Sequence, residues 1–443
     1  MDCLRQTIYK KNILIFFTFV TLSAYFYIRG YKESIPAYME FMKWGLTLFC
    51  IWSVYQGLHS KLRVSHLVLI NSIITLLFVF LLRFLFMENV GEIFGPAVDS
   101  YGYLYNGVQN ADLSYWDFCK KIQYKGFKFD DLGYFSIYYW AAQFSRDVSI
   151  VAGIVSLFNI VLLYFSSCYL FRLGKIVCNN EYTARIVSIL WSSFPFILMT
   201  IAVGLKENCF CSIIIFALYH SYNHKWKGKR ISLLYAFLFA LLAFLFRTAI
   251  GCLLLMAIIV NGTVNRHNAK KLIIIGFIGC LMLNLLLPMF IGLMGDNYES
   301  ITGTTSYRMT QKDGGSEVGL LLPIVSSFFG PFPNLDRTDA YNFMAAYSHF
   351  LKVSTSLFFL LGAARIIFRL DIRWFALLLY ILGNILMLMI AGVGLDLRFH
   401  ITYIPFFLLL AFDSFHIKRS KWLYPAYYWG IILVIYVYAS RAF

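Results

Sequence analysis

A few ionisable residues stand where an otherwise apolar chain can least accommodate them. They are Asp99 in GPAVDSYGYLYNGVQ (95–109), Lys206 and Glu207 in FPFILMTIAVGLKENCF, Arg247 in AFLFRTAIG, and Asp396, Arg398 and His400 in VGLDLRFHITYIPF. Charges at such positions are costly unless paired or hydrated, so each is read first as a functional residue. The Asp99 carboxylate can accept a proton from a sugar hydroxyl. Tyr103, one helical turn on, can orient it or stack on a sugar ring. Lys206 can hold a phosphate or pyrophosphate, with Glu207 positioning it or the acceptor. Arg247 has no acid nearby in sequence, and its planar fork suits phosphate oxygens. Arg398 can act likewise with His400 as a helper, while Asp396 could serve only to neutralise Arg398.

Each assignment has a plainer counterpart. Asp99 could cap a short helix, and Lys206 with Glu207 could be a local ion pair with a snorkelling lysine. His349, Arg308 and Arg337 are weaker candidates. The adjacent acids Asp130 and Asp131 leave a divalent cation open, although two neighbouring carboxylates rarely suffice alone; no cofactor is otherwise required.

The elements that must position these residues follow from composition. Of the 443 residues, 60% are hydrophobic and only 14% charged, which predicts an all-α polytopic membrane protein forming a single transmembrane domain over 1–443. The apolar runs are continuous rather than alternating, which disfavours a barrel. Segments that can span, wholly or partly, are 13–28, 40–57, 64–87, 148–171, 182–202, 206–221, 231–246, 249–262, 271–293, 344–366, 373–392, 400–415 and 422–440, about thirteen in all. The runs flanking Lys206 and Arg247 are short, as helices lining a cavity tend to be.

With a cytoplasmic N-terminus, every inner loop is basic: Lys61 and Arg63, Arg172 and Lys175, Lys225 to Arg230, Arg266 to Lys271, Arg369 and Arg373, and Lys418 to Lys421. That obeys the positive-inside rule and accounts for the net charge of +16 without nucleic acid. The same topology puts loops 88–147 and 294–343 outside, with Asp99 and the turns at Lys206, Arg247 and Arg398. Within the first loop, GYFSIYYWAAQF (133–144) predicts a helix lying in the outer interface. The second is polar and Gly-rich, a candidate lid, and the following VGLLLPIVSSFFGPFPN has the prolines of a re-entrant element. The N-terminal MDCLRQTIYKKN before an apolar run predicts a retained signal anchor. Nine cysteines lack any CxxC pair, so neither disulfides nor zinc are indicated.

In this order the motifs resemble those of membrane glycosyltransferases of the GT-C superfamily, in the protein-mannosyltransferase-like and bacterial polysaccharide-assembly branches. The matching pieces are GPAVDSYGYLYNGVQ, FPFILMTIAVGLKEN, FLFRTAIG and LDLRFHITYIPFFLLL. Many members carry an Asp-Glu pair in the first outer loop, where this chain has Asp99-Ser100. O-antigen and capsule polymerases share the many-helix layout with two outer loops. The resemblance implies a polyprenyl-phosphate or pyrophosphate-linked sugar donor, a glycan acceptor and inverting transfer at the outer face of a bacterial inner membrane. It also implies Asp99 as catalytic base, Lys206 and Arg247 as phosphate ligands and Arg398 as an assistant. A flippase or transporter of lipid-linked oligosaccharide is the alternative; it should show a pseudo-symmetric repeat, and none stands out. An acyltransferase using His349 or His400 as base is a third.

Overall fold

A computed structural model of the protein describes residues 16–18, 20–21, 36–95, 97–124, 131–178, 180–265, 267–268, 271, 327–330, 343–390, 397–415 and 426–430. The first, ninth and last expected spans, the loop 294–326, and Asp130, Arg308, Arg337 and Asp396 lie wholly or largely outside these residues.

Among the described residues the chain is helical throughout, with no strand. Four helices are long and apolar enough to cross a membrane, the architecture of an all-α membrane protein. Helix α1 (Ala37–His59) leads into α2 (Val64–Val90). The first long loop folds into three short helices, α3 (Val98–Gln109), α4 (Tyr115–Tyr124) and α5 (Leu132–Ala142). Helix α6 (Val148–Val177) follows, its start capped by Asp147, whose carboxylate accepts from the Ser149 and Ile150 amides.

The segment 181–202 is the centre of the bundle. Its apolar window is 94% buried, as expected of a helix that lies inside protein rather than against lipid on one side. It runs as α7 (Glu181–Ser192) and α8 (Pro195–Ala202), broken at Phe194 because Pro195 starts a new helix more readily than it continues one. Trp191, Phe194, Phe196 and Ile197 are fully buried there. Small polar groups fasten this core to its neighbours: Asn71 donates to Ser192 Oγ at 2.8 Å, and the Phe196 amide donates to Ser348 Oγ at 2.9 Å.

Helix α9 (Glu207–Lys227) lies alongside α6, with Asn208 donating to the Asn159 carbonyl at 2.7 Å and Tyr169 packed on Tyr219. A hairpin of α10 (Arg230–Phe244) and α11 (Thr248–Thr263) packs next to α9. The last described elements are α12 (Ala346–Arg369), α13 (Phe375–Ile390), the single turn α14 (Leu397–His400) and α15 (Ile404–Ser414), with α12 and α15 against each other.

The helix expected at 133–144 forms as α5, and most of its aromatic side chains pack into the bundle. Tyr134, Phe135, Tyr138 and Tyr139 are buried, while Trp140 is exposed. The aromatic residues carry hydroxyls that reach backbone: Tyr134 donates to Leu205 O at 2.9 Å and Tyr138 to Gly204 O at 3.2 Å.

Candidate functional site

Five pieces of chain meet around Arg398. Helix α3 contributes Asp99 and Tyr103, the start of α5 contributes Asp131, the turn before α9 contributes Lys206 and Glu207, the α10–α11 turn contributes Arg247, and α14 contributes Arg398. Local geometry explains each position. Gly204 has φ +69°, a left-handed conformation that turns the chain so that Lys206 and Glu207 face α5 and α14. A Cβ there would also lie 2.6 Å from Tyr138 Oη and 2.7 Å from the Phe94 ring, so only glycine lets α5 approach. Gly133 does the same for the other turn: its amide donates to Leu245 O at 2.8 Å, tying α5 to the segment that carries Arg247.

Arg398 is the bridge. Its Nη1 donates to Asp99 Oδ2 at 2.7 Å and its Nε to Glu207 Oε1 at 2.5 Å. Burial opposes the guanidinium charge, but Glu207 and Asp99 outweigh it, so its pKa is raised and it stays protonated. Glu207 is buried and its other oxygen, Oε2, meets no donor among the described residues. Asp99 is half-exposed in the first turn of α3; the N-cap is Ala97, so Asp99 does not cap the helix.

Lys206 is buried and bound to Asp131, with a second donation to Phe246 O at 3.3 Å. Tyr103 donates to the same Asp131 carboxylate at 3.3 Å, and its ring packs edge-on to Tyr134 and Phe135. Burial raises the Tyr103 pKa, and Asp131 and Glu207 push it the same way, which keeps this hydroxyl a donor. Arg247 lies over the Phe399 ring at 4.6 Å and has no hydrogen-bond acceptor among the described residues. Burial lowers its pKa from the usual guanidinium range.

Three carboxylates, Asp99, Asp131 and Glu207, thus balance three cations, Lys206, Arg247 and Arg398. The cations are unequal: Lys206 and Arg398 are held by acids, whereas Arg247 makes no ion pair among the described residues and lies over Phe399. The buried Glu207 Oε2 is left without a hydrogen-bond donor among the described residues. The arrangement can accept a proton, orient a hydroxyl and hold a negative charge.

His400 sits on the same turn as Arg398 but faces Tyr403, whose hydroxyl is 2.7 Å from His400 Nδ1 and donates to Ser327 O at 3.2 Å. His349 is buried on α12 with both ring nitrogens lacking partners among the described residues. Among the described residues no group of three or more His, Cys, Asp or Glu is arranged to hold a metal ion. A divalent ion at Asp131 would have to compete with Lys206.

Sequence reasoning underrated Asp131, which stood only as half of a metal pair, and passed over Arg83. That arginine is buried mid-way along α2, donating to Ala202 O at 3.0 Å and Ser156 Oγ at 2.5 Å and lying over Phe94. A single Arg inside a strongly apolar run was the available signal. Its bonds anchor α2 and α6 to the end of α8, behind the site. Comparison of the chain with protein-family models, curated proteins and solved structures finds no match.

Proposed function

We propose that this chain is a bacterial inner-membrane glycosyltransferase of surface-polysaccharide assembly, O-antigen or capsule, that transfers sugar from a polyprenyl-phosphate or pyrophosphate donor to a glycan acceptor. The observation that carries this reading is the gathering of Asp99, Glu207, Arg247 and Arg398 into one cluster, although Asp99 and Arg398 are 299 residues apart in sequence. Scattered charges with only structural roles would need just their nearest partners. Here a proton acceptor, an unused guanidinium and an apolar bundle for a lipid tail stand together.

In the proposed reaction the acceptor hydroxyl lies against Asp99 Oδ1, the carboxylate being oriented from its other oxygen by Arg398. Asp99 takes the hydroxyl proton as the oxygen attacks the anomeric carbon from the face opposite the leaving group. The bond from that carbon to the lipid phosphate oxygen breaks, its electron pair stays on the phosphate, and configuration inverts. Arg247 donates to the phosphate oxygens as charge develops on them, which is the dominant kind of stabilisation in such transfers. Glu207, buried behind Arg398, holds that guanidinium in place beside Asp99 and is a positioning residue in this scheme. Lys206 acts through Asp131 and Tyr103 to hold the floor of the site and is a positioning residue in this scheme. The cluster faces the periplasmic or extracellular side, and the chain crosses the membrane many times with its N-terminus in the cytoplasm.

Asp99→Asn tests the mechanism. With membrane levels equal to wild type, transfer should fall roughly 10²- to 10⁴-fold, the usual contribution of a general base. Lipid-linked single repeats should accumulate if whole units are polymerised, or a repeat lacking one sugar if a single residue is transferred. Polymer of normal length and amount would remove Asp99 from catalysis and this mechanism with it.

A further inference from the structure

At the other end of α6 and α9 the bundle opens into a cavity of about 940 Å³. Helix α9 runs from Glu207 in the cluster to Lys227 at this cavity, roughly 30 Å at 1.5 Å per residue, which is the thickness of a hydrocarbon core. We infer that this cavity binds the phosphate headgroup of an anionic phospholipid, with the acyl chains lying on the exposed apolar faces of α2 and α6.

The cations around it are not equivalent. Arg185 is committed to backbone, donating to the carbonyls of Gly57, Ser60 and Leu62 at 2.7 to 2.9 Å. Lys175 pairs with Glu181 at 2.9 Å. Arg63, Arg172, Lys227 and Lys229 line the same cavity with no carboxylate partner among the described residues. Four cations converging from the ends of four elements repel one another unless an anion lies between them. Their convergence goes beyond what positive-inside loops require, since those need only be basic and not gathered.

The walls specify what kind of anion. Tyr164, Phe165 and Tyr169 form an aromatic side, and Arg172 lies over the Tyr169 ring at 5.3 Å. From Phe165 an exposed apolar stripe continues along α6 through Val161, Phe158 and Leu157. A stripe on α2, Leu69, Ile73 and Leu77, is likewise exposed. A soluble phosphate would use the cations and leave the aromatic wall and stripes idle. An anionic phospholipid uses both, with its headgroup at the depth where basic residues sit.

Full-length protein in neutral detergent, titrated with fluorescent phosphatidylglycerol, tests this. The neutral comparator is phosphatidylcholine and the tail-less one is glycerol phosphate. Wild type should bind phosphatidylglycerol in preference to both, more weakly as salt rises. The triple variant Arg172→Gln, Lys227→Gln, Lys229→Gln should lose roughly a hundredfold in affinity, about tenfold or less for each charge removed. The exposed pair Lys120→Gln, Lys121→Gln on α4 should change nothing. If the triple variant does not fold, Lys229→Gln alone should show a several-fold loss. Equal binding of the two lipids, equal loss in the α4 pair, or glycerol phosphate binding as tightly as the lipid would each overturn the proposal. None of these outcomes depends on the transferase reading, because binding rather than sugar transfer is measured.

Discussion

Replacing Arg398 probes the cluster most directly, because one guanidinium serves two carboxylates and one of them, Glu207, is buried. Arg398→Met leaves Glu207 charged, desolvated and without its donor, a change that costs about 3 kcal/mol or more in comparable buried pairs. Thermal unfolding in detergent should therefore show a large loss, and adding Glu207→Gln to the same chain should recover a good part of it. If the second substitution instead adds its own full loss, the two side chains are not coupled and the bridge is not what holds Glu207. Asp99, Lys206, Glu207, Arg247 and Arg398 were all legible in the sequence, since a charge among apolar residues is conspicuous wherever the chain later folds. Their pairing was not. Lys206 precedes Glu207 by one residue yet binds Asp131, while Glu207 binds Arg398, because successive residues at a helix start point in different directions.

Helices were legible for the same reason, and segments such as 64–87, 148–171 and 344–366 became α2, α6 and α12 with ends shifted by a few residues. What hydropathy could not place was α5, whose aromatic composition suits a membrane interface and a buried layer equally well. The deciding feature is the Gly204 turn, which gives two free carbonyls, Gly204 O and Leu205 O, to the hydroxyls of Tyr138 and Tyr134. Gly204→Ala should be costly on two counts: the left-handed conformation disfavours a Cβ by roughly 1–2 kcal/mol, and that Cβ would crowd Tyr138 and Phe94. We expect a lowered unfolding temperature together with weakened activity, because the turn also aims Lys206 and Glu207. Tyr138→Phe, which keeps the ring and loses one hydrogen bond, should cost only about 1 kcal/mol. A Gly204→Ala protein as stable as Tyr138→Phe would show that the turn does not need glycine.

Across the whole molecule, the charges sort into two groups at opposite ends of α9: a charge-balanced cluster at Glu207 and an unbalanced basic ring at Lys227. The basic loops that the sequence assigned to one side, those with Arg63, Arg172 and Lys227 to Lys229, do converge in space, and the residues assigned to the other side converge as well. Such sorting has a physical cause if a bilayer lies between, since cations are favoured beside anionic lipid on the cytoplasmic face and a charge-balanced site is indifferent to it. The orientation itself can be read with single cysteines in a cysteine-free background. Lys120→Cys, exposed on α4, which packs against α5, should react with a membrane-impermeant maleimide in cells whose membrane is intact. Lys229→Cys, exposed at the basic ring, should react only after that membrane is opened. Labelling of both before opening would mean that the two ends share a compartment, so that α9 does not carry the chain from one face to the other. Labelling in the reverse order would turn the molecule over, placing the Asp99 cluster on the cytoplasmic side and contradicting the proposed outer-face site.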